Sequence, residues 1–162
     1  MQDALTGAKA PGFELETAGP GGAQGRVSLA GLAGTWTVVY IYPKDSTPGC
    51  TTEAKEFTEL LPRFQALGAR VLGLSRDSLK AHRNFIDKQG LGLELASDPS
   101  LETLKALGGW GTKTVCGKSC EGVIRSTLLI APDGTVARRW PKAPSKGHAA
   151  EVLAALAELT GK

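Results

Sequence analysis

The chain of 162 residues has no apolar run near the roughly 20 residues that a membrane-spanning helix needs. Its first residues, Met1-Gln2-Asp3-Ala4-Leu5-Thr6, lack both a basic start and an apolar stretch, so no signal peptide is expected and a cytoplasmic location is. Charge of one sign is scarce as well. The formal net charge is only +3, and the Lys and Arg residues are scattered, so neither a nucleic acid nor a membrane surface is expected as a partner. Cysteine is limited to three residues, an odd number that argues against a disulfide-stapled secreted scaffold and for redox or metal chemistry. Internal repeats, low-complexity tracts and linkers are missing too. With 41% hydrophobic and 22% charged residues, a single domain over 1–162 is expected.

What the chain does have is organised around Pro43-Lys44-Asp45-Ser46-Thr47-Pro48-Gly49-Cys50-Thr51-Thr52-Glu53. The apolar run Trp36–Tyr42 before it reads as a buried strand, and the spacing of Ala54, Phe57, Leu60, Leu61, Phe64 and Leu67 after it predicts an amphipathic helix over Cys50–Leu67. Cys50 therefore falls in the first turn of a helix. Unpaired N–H groups and the positive end of the helix dipole favour a thiolate there, and the thiolate is the nucleophilic form. Free cysteine is often a small buried hydrophobe, but Ser46, Thr47, Thr51, Thr52 and Glu53 make these surroundings polar. Thr47 is placed to bond the sulfur or a bound oxygen, and N-capping is its more ordinary role. Pro43 can stiffen the loop and shield the sulfur from water.

Around this stretch the pattern predicts a strand near Phe13–Leu15 returning at Arg26–Leu29, and a strand at Ala69–Ser75 that completes a parallel β-α-β unit. Pro62 is expected to kink the first helix. A helix capped by Asp77 or Ser78 runs to Gln89, and Leu93–Leu95 reads as a short strand. Asp98-Pro99 opens a short helix over Ser100–Leu107. Strands are expected at Lys113–Cys116, Glu121–Ile130 and Val136–Trp140, and a final amphipathic helix from about Gly147 to Leu159. This order indicates an α/β fold with a central mixed sheet flanked by helices, and a thioredoxin-like arrangement fits it.

The string Pro43-x-x-x-Thr47-x-x-Cys50 resembles the peroxidatic-cysteine motif of the peroxiredoxins. In its fuller form, Tyr42 to Ala54, it resembles the peroxiredoxin Q subfamily, also called bacterioferritin comigratory proteins. Gly122-Val123-Ile124-Arg125-Ser126-Thr127 is similar to that family's strand bearing the active-site arginine, and the likeness covers roughly Gly7 to Leu159. The resemblance implies a thioredoxin fold and thiol-dependent reduction of hydrogen peroxide and organic hydroperoxides, with no cofactor or metal. It implies Cys50 as the attacking thiolate and Arg125 as its partner and the donor to the departing oxygen. Thr47 would hold the peroxide, and Glu53 would orient the arginine, although a solvated first-turn Glu is nearly as good a reading. A thioredoxin-type donor and a monomer are implied as well.

The chain departs from that family in its second thiol. Where relatives carry the resolving cysteine, this sequence has Lys55 in the first helix and Ile86 in the next. The remaining thiols are Cys116 and Cys120. One of them resolves Cys50, or they pair with each other, or an outside thiol does the work; resolution by Cys116 or Cys120 is favoured, Cys116 slightly ahead. Three rival readings remain, one of them a non-catalytic thioredoxin-like binding protein. A thiol-disulfide oxidoreductase would place Cys-x-x-Cys where Thr51, Thr52 and Glu53 follow Cys50, and a metal module would need Cys116, Cys120 and His148 with only His82 to spare.

Overall fold

The computed structural model describes residues 5–115 and 117–161. In chain order the elements are β1 (Glu14–Ala18), β2 (Gln24–Ser28), β3 (Trp36–Ile41), α1 (Pro48–Ala66), β4 (Ala69–Ser75), α2 (Leu79–Gln89), β5 (Glu94–Ser97) and α3 (Glu102–Ala106). They continue with β6 (Trp110–Val115), β7 (Lys118–Val123), β8 (Ser126–Ile130), β9 (Val136–Trp140) and α4 (His148–Thr160). Seven strands form a mixed sheet in the order β2-β1-β5-β4-β3-β8-β9, and β6 and β7 form a separate two-stranded ribbon. The pairs β3–β4 and β4–β5 are parallel, and the other pairs in the large sheet are antiparallel.

Strand alternation sorts the core into two layers. Val38 and Tyr40 of β3 face one side with Phe57 and Phe64 of α1, Phe85 of α2 and Val152 and Leu156 of α4. Val39 and Ile41 face the other side with Leu104 of α3 and Leu128 and Ile130 of β8. Gly73 of β4 makes one of these contacts possible: a Cβ there would lie 2.6 Å from Leu95 and 2.9 Å from the Tyr40 ring. With that space open, Tyr40 stacks on Phe57 at 4.5 Å between ring centroids, seating α1 on the sheet.

Most predicted elements occur within two residues of their expected bounds, and the differences have local causes. Helix α1 starts two residues early because Pro48 occupies its first position, where a missing N–H costs nothing. Pro62 lies inside it, as expected, and the helix runs on to Ala66. Gly68 follows at φ 78° and its N–H donates to the Gln65 carbonyl. Ser78 rather than Asp77 caps α2, its Oγ accepting from the Ala81 N–H at 3.2 Å. Helix α3 is shorter than expected: Pro99 lies outside it, and the Asp98 carboxylate reaches ahead to the Leu104 N–H at 2.8 Å. The largest difference concerns Glu121–Ile130. It is not one strand but two in different sheets, broken at Ile124-Arg125.

No described helix is long and apolar enough to cross a membrane.

Candidate active site

Helix α1 begins at Thr47, whose extended backbone (φ −84°, ψ 154°) makes it the N-cap residue, and Cys50 is the third helical residue. The first N–H groups of a helix have no acceptor within it, so the Cys50 position lies at the positive end of the α1 dipole. Cys50 itself is 1% exposed.

Arg125 reaches this helix start because the chain breaks ladder at its position. The Ile124 N–H donates to the Gly109 carbonyl at 2.8 Å, and the Arg125 carbonyl accepts from the Ala143 N–H at 2.8 Å. These sideways bonds carry the backbone from the small ribbon to the large sheet and turn the Arg125 side chain towards α1. There Nη1 donates to Glu53 Oε1 at 2.6 Å and Nη2 donates to Cys50 Sγ at 3.4 Å. Gly49 makes room for the guanidinium, since a Cβ at that residue would stand 3.2 Å from Nη2. The residues 72 to 75 positions apart thus form one unit, in which a cation touches both a thiol sulfur and a carboxylate.

Glu53 is not a solvated first-turn carboxylate: its side chain is fully buried. Burial pushes its pKa from 4.5 up to about 7, with Arg125 pulling the other way. Burial also works against the Arg125 charge, but Glu53 and Cys50 outweigh it and lift the guanidinium above its usual range. A raised carboxyl pKa means that the folded chain binds this proton more readily than the unfolded chain between about pH 4.5 and 7. Stability is therefore fullest below that window and falls as pH rises through it, by on the order of 3 kcal/mol for this group alone. Urea unfolding of the wild type and Glu53→Gln from pH 4.5 to 7.5 checks this. The wild-type minus variant difference is expected to fall across the window; a flat difference would refute it. His148, whose pKa burial pushes down, alters stability in the opposite sense and is common to both proteins.

Thr47 makes neither of the bonds within the protein that its position suggests. Its Oγ1 bonds neither the sulfur nor a helix N–H but donates to the Lys44 carbonyl at 2.8 Å. The hydroxyl proton is thereby committed, and what Thr47 offers outward is its lone pairs. Pro43 is half-buried and lines a cleft of about 440 Å³ together with Arg125, Lys113, Val123 and Lys142. Arg125 is thus shared between the cleft wall and the contact with Cys50.

Four residues near the site form a cluster to which the sequence assigns no role in the site. Asp45 bonds Tyr42 and His82 through its carboxylate and Asp77 through its N–H. Asp45 lies inside the motif, whereas His82 and Asp77 follow it in the chain by more than 30 residues and only the fold brings them back.

Cys120 lies exposed on β7, opposite Lys113 of β6. Cys116 lies outside the described residues. His148 is buried, with Nε2 at 2.8 Å from Thr127 Oγ1. No group of three metal-ligating side chains occurs among the described residues.

Comparison with known proteins matches residues 6–139 to the AhpC/TSA family. Peroxiredoxin Bcp of Xanthomonas campestris is 46% identical over 156 residues, 96% of each chain. The structure of Xanthomonas campestris peroxiredoxin Q superposes with a TM-score of 0.81 over 90% of this chain and 91% of that one, at 46% identity. A structure of Xanthomonas campestris bacterioferritin comigratory protein, from work on trapped intermediate and ligand complexes in alkyl peroxide reduction, gives 0.81 at 45% identity over 90% of this chain and 92% of that one.

Proposed function

The chain belongs to the AhpC/TSA family as a peroxiredoxin, a thiol-dependent peroxidase, and from that premise we propose how its residues divide the reaction. Cys50 is the peroxidatic residue. Its thiolate attacks the terminal oxygen of R–O–O–H, an S–O bond forms as the O–O bond breaks, and RO⁻ departs with the electron pair. The sulfur is oxidised by two electrons to the sulfenic acid, and the alkoxide takes up a proton to leave as alcohol, or as water from hydrogen peroxide.

The observation that carries this reading is the Arg125 guanidinium donating at once to Cys50 Sγ and to Glu53. It sets a permanent positive charge and several N–H donors where both the attacking sulfur and the departing oxygen carry negative charge. Thr47, with its proton held by Lys44, accepts the hydroperoxide O–H and aims the O–O bond at the sulfur. Pro43 walls the site, and Glu53 keeps the guanidinium in place. Hydrogen peroxide and organic hydroperoxides are the substrates, and the cleft lined by Pro43, Val123 and Lys142 receives the organic group.

The sulfenic acid is then attacked by Cys116 or Cys120, giving a disulfide and water, and a thioredoxin-type dithiol returns both sulfurs to thiols. Support for this half comes from what is elsewhere in the chain: Lys55 is exposed on α1 and Ile86 is packed in the core, so neither helix offers a second thiol. Cys50 is buried and Cys120 is exposed, and in this reading local unwinding brings the two sulfurs together. A single-domain monomer in the cytoplasm is the working form in this reading, with neither nucleic acid nor membrane as a partner.

Peptide mapping after one equivalent of hydrogen peroxide, without reductant, tests the scheme. A single intramolecular bridge between Cys50 and Cys116 or Cys120 is expected. A stable Cys50 sulfenate, or a Cys116–Cys120 bridge with Cys50 reduced, would remove the resolving role.

A further inference from the structure

Behind the loop 43–47 lies a set of buried polar side chains that the chemistry above does not use. Asp45, 6% exposed, is their hub. Its Oδ1 accepts from the Tyr42 hydroxyl at 2.6 Å, and its Oδ2 lies 2.7 Å from His82 Nδ1. His82, fully buried on α2, has its other nitrogen 2.9 Å from the Ala96 carbonyl, which can only accept. Nε2 is therefore the donor to that carbonyl, which leaves Nδ1 facing the Asp45 carboxylate. Burial, with the nearby Asp45 carboxylate, keeps the Tyr42 phenol well above its usual pKa, so it stays a donor.

The same anchor reaches Thr47 through one peptide group. The Asp45 N–H donates to Asp77 Oδ2 at 3.0 Å, and Asp77 is held in turn by the Ser75 hydroxyl at 2.6 Å. The other end of that peptide is the Lys44 carbonyl, the acceptor of the Thr47 proton. The peptide plane that orients the Thr47 hydroxyl is therefore fixed by side chains of the β4–α2 segment. Between them Ser46 sits at φ 65°, a left-handed conformation that costs a non-glycine residue about 1 kcal/mol or more and persists where the surroundings over-determine it.

We propose that His82, acting through Asp45, is a positioning residue for the peroxide reaction: it locks the loop so that the Thr47 lone pairs face the hydroperoxide. The proposal rests on the assignment of Cys50 and Thr47 given above. It separates two properties of Cys50. Reaction with peroxide needs Thr47 in place; alkylation by iodoacetamide needs only the reactive sulfur and access to it.

A double-mutant cycle on the full chain reads the difference, with Cys50 oxidation by hydrogen peroxide and alkylation by iodoacetamide measured in parallel. His82→Gln is expected to slow oxidation by about 10- to 100-fold, as loss of alignment does, while alkylation changes by less than about threefold. In a Thr47→Val background the same substitution is expected to cost less than about threefold more, because the two act in series. Tyr42→Phe removes one bond to Asp45 and keeps the ring; it is expected to show the same pattern at about three- to tenfold, and decides the matter if His82→Gln does not fold. Equal slowing of both reactions, or losses for His82→Gln and Thr47→Val that multiply in full, would overturn the positioning role. Thr47→Val oxidising as fast as the wild type would instead overturn the Thr47 assignment, and the positioning role with it.

Discussion

Cys50→Ser is expected to abolish peroxide consumption with a dithiol donor, by at least about 10³-fold, while the protein stays folded. Serine differs from cysteine by one atom, so the packing around the buried Cys50 position is disturbed little. The chemistry is lost for a different reason. A serine hydroxyl at this helix start remains protonated at neutral pH, and its oxygen does not accept an oxygen atom from a peroxide to give an analogue of the sulfenic acid. The Arg125 donor survives in the variant, but it has no anionic nucleophile to serve. Turnover of the variant within about tenfold of the wild type, with unfolding midpoints matched, would mean that another group attacks the peroxide.

Arg125→Met is expected to lower the rate of Cys50 oxidation by about 10²- to 10³-fold, the scale of losing one donor aimed at developing charge. Methionine keeps most of the buried volume, so the loss reports on the guanidinium and not on a hole. Two effects combine. The positive charge next to Sγ disappears, and so do the N–H groups that meet the departing oxygen. Glu53 provides a second readout. Arg125 is what holds its pKa down to about 7 against burial, so without the guanidinium the carboxyl moves higher still and is neutral at pH 7. The variant is therefore expected to remain folded at neutral pH, with stability falling as pH rises from about 4.5 and continuing to fall beyond 7, where the wild-type loss has ended. Arg125→Lys is expected to recover only part of the rate, since one ammonium does not span both Glu53 and Cys50 as the two guanidinium nitrogens do. Wild-type rates in Arg125→Met would refute the assignment.

Much of the site is legible from the chain because it is local. Pro43, Thr47 and Cys50 lie within eight residues, in the loop and helix start after a strand, which hydrophobic periodicity and Pro48 mark out. The mixed sheet follows from alternation of the same kind, as Val38 and Tyr40 against Val39 and Ile41 illustrate. Arg125 was visible only through the family motif around it; one arginine among many has no period of its own. Its reach to Cys50 depends on the break at Ile124-Arg125, which the strand-like run Glu121–Ile130 conceals, since side-chain pattern does not record which strand a backbone N–H will bond.

By itself the sequence determined the order of elements, the placement of a thiol in the first turn of α1, and the absence of a second thiol at Lys55 and Ile86. These depend on propensity, spacing and identity, which are properties of neighbours along the chain. Only the tertiary structure decided that Glu53 is buried under Arg125, that Thr47 commits its proton to Lys44, and that His82 comes from α2 to hold Asp45. Each of these depends on burial and on partners more than thirty residues apart, or on how one peptide plane is turned. Such facts exist only once β3, β4 and α2 have packed.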